Sequence, residues 1–205
     1  MKFSAEWFRE LEEELSKGGH ESDLDSFSVI KERLASRAPV GADEFARQAI
    51  YVVLAGGFSQ KTAKRKHSEI MTYLSNKSLP GLTGQSRLLE IFNNKNKINA
   101  IIKIWENRTA FRDGYYKQNS LSDKLEYIAT LPHIGKITAN HLARNLGEDV
   151  VKYDLWITRL GAEFPGGADA MFAHLVAQTG LPRGYIDVVL WKSLQIGLIK
   201  CRMSE

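Results

Sequence analysis

The stretch Leu131-Pro-His-Ile-Gly-Lys-Ile-Thr-Ala139 constrains this chain more than any other. Before it, Leu121, Leu125 and Ile128 recur at helical spacing, and after it Ala139, Leu142, Ala143 and Leu146 do the same. Pro132 has no N–H to give and cannot sit inside either helix. Gly135 is read as the residue that frees the backbone for the reversal. The expectation is a helix, a short hairpin and a second helix. Ser120, followed by Asp123, is placed to cap the first helix, and Gly147 to end the second. The second helix starts near Gly135 or Lys136. Its first N–H groups lack carbonyl partners and point out of the hairpin, where they suit a phosphate.

The hairpin, followed by Val151-Lys-Tyr-Asp-Leu-Trp156, resembles the helix-hairpin-helix (HhH-GPD) superfamily of DNA glycosylases, to which endonuclease III belongs. Leu131, Pro132, Ile134, Gly135 and Ala139 fit the family's hairpin pattern, and Val151 and Asp154 fit the Val-x-x-Asp that follows it. Arg159 sits where the family often has an arginine. The resemblance implies an all-α, two-lobed fold. One lobe would be about 42–149, including the hairpin at 121–147. The other would combine 1–41 with 150–205, and the substrate cleft would lie between them. The 205 residues would then form a single catalytic unit.

The remaining chain reads as helices of ordinary amphipathic pattern. Phe3, Trp7, Phe8, Leu11 and Leu15 share one face, with Glu6, Glu10, Glu13 and Glu14 elsewhere. Ser22 and Asp25 can cap a second helix that runs to about Ala35. The pattern from Asp43 is helical and apolar all round over Ala49–Ala55, which predicts a buried central helix. A basic helix with Lys61, Lys64, Arg65, Lys66 and His67 follows Gly56-Gly57. Leu79 to Leu82 reads as a loop. Leu88, Leu89 and Phe92 form a short helix face, and Asn96 opens a helix with Ile98, Ile101, Ile102 and Trp105 at i, i+3, i+4 and i+7. Arg108 to Asn119 is polar and reads as a linker. Beyond Asp154 a helix breaks at Pro165-Gly-Gly167, and two more follow. The last places Ile186, Val189, Leu190, Leu194 and Leu198 on one face. About ten helices and no sheet are expected.

Composition narrows the chemistry. The net charge of +4 fits a nucleic-acid partner. A single cysteine, Cys201, leaves no disulfide framework and no four-cysteine iron–sulfur cluster of the kind some endonuclease III relatives carry. No apolar run is long enough for a membrane span, and the acidic N-terminus is unlike a signal peptide. The expectation is an intracellular (cytoplasmic), DNA-associated monomer without a cofactor. The resemblance still admits a monovalent cation at the hairpin carbonyls.

Asp154 is the candidate catalytic residue. Breaking an N-glycosidic bond builds positive charge on the sugar, and a nearby carboxylate stabilises it and orients the attacking water. An aspartate opening a helix is ordinarily an N-cap, and the two roles are compatible. Family members with lyase activity carry a lysine nucleophile two residues after the second hairpin glycine. Here that position is Ile137. Lys136 is one residue earlier, and one residue on a helix turns the side chain by about 100°. The resemblance therefore implies a monofunctional enzyme. Lys152, two residues before Asp154, is in reach to be a displaced amine nucleophile, but reads better as a surface lysine.

His133 replaces the first hairpin glycine and, with Gly135 and Lys136, is a candidate DNA contact. Lys61, Lys64 and Arg65 are the others, in a stretch from Gln60 to Ser68 without an acidic residue. The loop after the central helix makes Phe58 or Gln60 the candidate wedge into the duplex. Tyr115, Tyr116, Tyr153 and Trp156 are candidates to stack on an extruded base, with Tyr153 and Trp156 favoured because they flank Asp154. No metal site is expected. Double-stranded DNA with a modified base is the expected partner. Two alternatives remain open. One is the chemistry of phage-associated relatives that exchange the 5-substituent of a hypermodified thymine for an amine or amino acid. The other is a DNA-binding module without catalysis.

Overall fold

The computed structural model describes residues 2–18, 27–57, 59–76 and 82–201, and among these it has twelve α-helices and no strand. The proposed cap at Ser22 and Asp25 and most of the Leu79–Leu82 loop lie outside the described residues. The chain divides into two compact units, one of residues 1–38 with 147–205 and the other of residues 39–146.

The 39–146 unit is built around α3 (Ala42–Ala55), whose side chains from Ile50 to Leu54 are all buried. An all-round apolar helix needs neighbours on every side. Here α4 (Gln60–Ser75), α6 (Lys95–Glu106), α7 (Arg108–Tyr116) and α9 (Lys136–Asn145) pack against it. Between them in sequence, α5 (Leu82–Ile91) packs on α4 and α6, and α8 (Leu121–Ala129) packs on α7 and α9. Gln48 and Asn145 are fully buried, and the Asn145 side-chain amide donates to Gln48 Oε1 at 3.2 Å. Gln48 in turn donates to Glu44 and Asn145 accepts from Arg144, so the pair is partnered at both ends and ties α9, the second hairpin helix, to the central helix.

The helix α7 is a correction, because its polar composition reads as a linker. Tyr115 is fully buried against Phe45 and Tyr116. The Arg108 guanidinium lies 4.6 Å from the Trp105 ring centroid and pairs with Asp43. Arg112 stacks over Tyr116 and donates to the Val40 carbonyl at 3.0 Å. Flat cations on aromatic faces supply an inner surface that hydropathy does not register.

The other unit is built around α12 (Arg183–Gln195), which packs against α1 (Ala5–Lys17), α2 (Phe27–Ser36), α10 (Leu155–Gly161) and α11 (Gly167–Thr179). Phe8, Leu15, Ile30, Ile157, Phe172, Ile186 and Leu190 form its core. Two expectations are corrected here. Phe3 lies before α1 with φ 69° rather than on the helix, yet stays in the core edge-on to Trp7 and Phe164. Leu198 lies beyond the end of α12 and is exposed, because Gly197, with φ 81°, turns the chain.

Candidate functional site

In the 39–146 unit, Ser120 caps α8 by accepting from the Asp123 N–H at 3.1 Å. The chain then reverses through Leu131–Ile134, closed by the Ile134 N–H donating to the Leu131 carbonyl at 3.1 Å. The left-handed residue of the reversal is His133, with φ 66°, and not Gly135, which is extended at φ −102°. A glycine at 135 is required by no backbone strain and by no crowding, since a Cβ there would meet nothing within 4 Å. The exposed space over its backbone is therefore open to a ligand.

Gly135 is the N-cap of α9 and has no side chain to accept from the first turn. Its own N–H donates to Thr138 Oγ1 at 2.8 Å. The remaining first-turn N–H groups, with exposed Lys136 beside them, form a positive helix terminus. Ile137 is 55% exposed, so the position of the family's lysine faces solvent with a side chain that has no nucleophile.

The basic stretch on α4 is divided. Lys61 and Arg65 are exposed and Lys64 is half-buried. Lys66 donates to the Ile91 carbonyl at the end of α5, and buried His67 bonds the Arg47 carbonyl at 3.0 Å. Those two hold the fold. Phe58 lies outside the described residues, and Gln60 is the first residue of α4 behind its cap Ser59. Just before them, buried Lys97 donates to the Gly56 carbonyl, and burial lowers its pKa from the ordinary lysine value. Tyr115 and Tyr116 are unsuited to stacking on a base. Tyr115 is buried, and the Tyr116 ring is occupied by the Arg112 guanidinium and the edge of Tyr115, with its hydroxyl accepting from the Val40 N–H at 3.0 Å.

In the other unit, Asp154 is the N-cap of α10. Its Oδ1 accepts from the N–H groups of Trp156 at 3.0 Å and Ile157 at 3.2 Å. Its Oδ2 faces Lys152 Nζ at 3.3 Å. Lys152 is thus no free surface lysine. Its side chain is 16% exposed, and its ammonium lies 5.4 Å from the Trp191 ring centroid. The segment carrying both residues is tied down by two carboxylates that the sequence reading missed. Buried Asp187 accepts from the Lys152 N–H at 2.9 Å, and Asp149 accepts from the Gly184 N–H at 2.7 Å. The signal in sequence was Asp187 itself, a carboxylate inside the apolar run Tyr185–Leu190.

Tyr153 packs edge-on to Phe172 and donates its hydroxyl to Asp169 at the start of α11. Burial, and then the Asp169 hydrogen bond and charge, push its pKa up to about 12. Its ring is spent on packing, whereas Trp156 is 46% exposed and Leu155 60%. Among the described residues, no three His, Cys, Asp or Glu side chains come together as a metal site, and no helix is long and apolar enough to cross a membrane.

No family model matches the sequence, and no curated protein does. Solved structures do. The 8-oxoguanine glycosylase/lyase of Methanocaldococcus jannaschii, in complex with a 15mer DNA containing 8-oxoguanine, aligns with a TM-score of 0.64 at 19% identity, over 84% of this chain and 92% of that one. The fold is that of the helix-hairpin-helix DNA glycosylases. The 8-oxoguanine DNA glycosylase of Thermotoga maritima has the same glycosylase fold, with a TM-score of 0.63 at 18% identity, over 98% of this chain and 99% of that one. A further structure of the Methanocaldococcus jannaschii enzyme aligns with a TM-score of 0.64 over 95% of each chain. Asp154 and the hairpin therefore belong to a glycosylase fold whose regular elements, among the described residues, are all α-helices.

Proposed function

We propose that this chain is a monofunctional DNA glycosylase, acting as a monomer, that extrudes a modified base from duplex DNA and breaks its N-glycosidic bond. The two units are the two lobes of that fold. The observation that carries the reading is Asp154, a helix-capping carboxylate that spends only Oδ1 on the cap and keeps Oδ2 for a cation, here the Lys152 ammonium at 3.3 Å. As the C1′–N bond breaks, its electron pair leaves with the base, and positive charge grows on the sugar. The Asp154 carboxylate stabilises that charge and takes the proton of the water that adds at C1′. The α9 terminus, with Gly135, His133 and Lys136, holds a phosphate of the backbone, and Lys61, Lys64 and Arg65 extend the contact. Trp156 offers its exposed ring to the base, and Phe58 or Gln60 fills the gap left in the duplex.

The solved relatives are named for 8-oxoguanine, so a duplex containing that base is the first probe. Mass spectrometry of nucleosides and free bases, after incubation with duplexes of varied modification, reads the chemistry directly. Free base with an abasic site is expected. An altered base on an intact glycosidic bond would favour substituent exchange instead, and unchanged DNA with retained binding would favour a binding module. Asp154→Asn keeps the side-chain size and one capping oxygen but removes the charge. It should slow base release on the order of 100-fold or more, with melting temperature and DNA affinity changing far less. Full activity in this variant would remove the mechanism. Because Ile137 stands at the nucleophile position, borohydride during turnover should trap no protein–DNA adduct. An adduct lost with Lys136→Ala or Lys152→Ala would overturn the monofunctional assignment.

A further inference from the structure

Asp154 is assigned to face a developing positive charge, yet in the free protein it already faces one. Its Oδ1 is committed to two N–H groups of α10, and its Oδ2 lies 3.3 Å from Lys152 Nζ. Both side chains are largely shielded, at 16% and 17% exposure. An ammonium so placed repels a sugar cation beside the same carboxylate and offsets much of the attraction Asp154 supplies. The contacts of Nζ, a carboxylate and the face of Trp191, are those of a cation. The pair therefore has to open before Asp154 can act. The backbone of the pair is held, with the Lys152 N–H on the buried carboxylate of Asp187 at 2.9 Å and the Asp154 N–H on the Lys152 carbonyl at 2.7 Å. Only the long, rotatable side chain is left to move.

We propose that Lys152 exchanges partners when nucleic acid binds. Its ammonium leaves Asp154 for a phosphodiester flanking the nucleotide whose sugar faces Asp154, and this unmasks the carboxylate. The inference rests on the DNA-binding part of the reading above. An ammonium leaving one anion needs another, and the phosphates on either side of the reacting sugar are the nearest anions that such a substrate carries. Lys152 is then a positioning residue that couples substrate binding to the charge state of the site.

The test needs binding alone. The full chain is titrated with a duplex containing a tetrahydrofuran abasic analogue, which cannot be turned over, across a range of salt concentrations. Lys152→Met keeps the stem on Trp191 and should lower the salt slope by about one, while Lys152→Arg keeps it. Asp154→Asn should tighten binding about two- to fivefold in the parent chain, because it removes the competing partner, and should do so far less in a Lys152→Met background. Melting temperatures establish that each variant is folded, and Lys152→Gln repeats the measurement with a polar tip. An unchanged slope in folded Lys152→Met, or an Asp154→Asn effect equal in both backgrounds, overturns the exchange alone. A parent chain that does not bind the duplex overturns both this and the proposed function. If the cycle behaves as expected while Asp154→Asn keeps full base release, the exchange stands and the catalytic role of Asp154 falls.

Discussion

At residue scale the hairpin puts its two sensitive positions in an order opposite to expectation. His133 carries the left-handed backbone, at φ 66°, and Gly135 does not. A side chain in that region costs about 1–2 kcal/mol, and glycine returns part of the gain as chain entropy. His133→Gly should therefore raise stability by up to about 1 kcal/mol in urea unfolding. Gly135→Ala should cost no more than about 1 kcal/mol, the modest loss of a glycine cap, yet weaken duplex binding, since the new methyl enters the open space over the α9 terminus. Equal losses of stability and binding would show that this space serves only the fold. Tyr153 offers a titration. Its folded pKa is raised from the ordinary 10.0 to about 12, so the folded state holds the phenol proton more tightly than the unfolded chain does. The stability this contributes is complete below pH 10 and is lost as pH rises through about 12. Tyr153→Phe should flatten the alkaline fall in melting temperature over that window and leave the shape of the pH dependence near neutrality unchanged.

At the scale of elements, close helix contacts are set by glycines whose neighbours are remote in sequence pattern. A Cβ on Gly161 would lie 2.4 Å from Ala168 Cβ and 2.7 Å from its backbone nitrogen, so α10 and α11 would have to part. Gly161→Ala should cost about 1–3 kcal/mol by overpacking, read as a lower urea midpoint with an unchanged slope. A Cβ on Gly114 would meet the Tyr127 hydroxyl at 2.1 Å, but that obstacle is the far end of a side chain, so Gly114→Ala should cost less. The reverse ranking would mean that Tyr127 cannot swing and that the α7–α8 contact is the stiffer one. The helix α7 belongs to this scale as well. Its arginines matter through the rings they cover and the α3 entry they bind, which a hydropathy pattern scores as plain polarity.

For the whole molecule, the net charge of +4 is modest, and binding must come from where the cations sit. Lys64, Arg65 and Lys136 are among the proposed phosphate contacts. Each should lower the salt slope of duplex binding by about one on substitution with alanine. Lys66→Ala and His67→Ala, whose side chains bond the Ile91 and Arg47 carbonyls, should instead lower the melting temperature. If Lys64→Ala, Arg65→Ala and Lys136→Ala all leave the slope unchanged, the proposed binding face is wrong.

The sequence by itself determined the helices with strong periodicity, the hairpin between Ser120 and Gly147, and the Asp154 helix start. These depend on interactions within a few residues, namely spacing along one helix, a capping side chain and the missing N–H of a proline. Tertiary structure decided what depends on residues brought together from afar. It took Trp191 and Asp187 of α12 to turn Lys152 from a surface lysine into the shielded partner of Asp154. It took Phe45 of α3 to bury Tyr115, and Ala168 of α11 to make a side chain at Gly161 costly. A residue's spacing states which face of its own helix it occupies. What stands opposite that face is a property of the packed chain, and packing decides whether a charge is solvated, paired or poised.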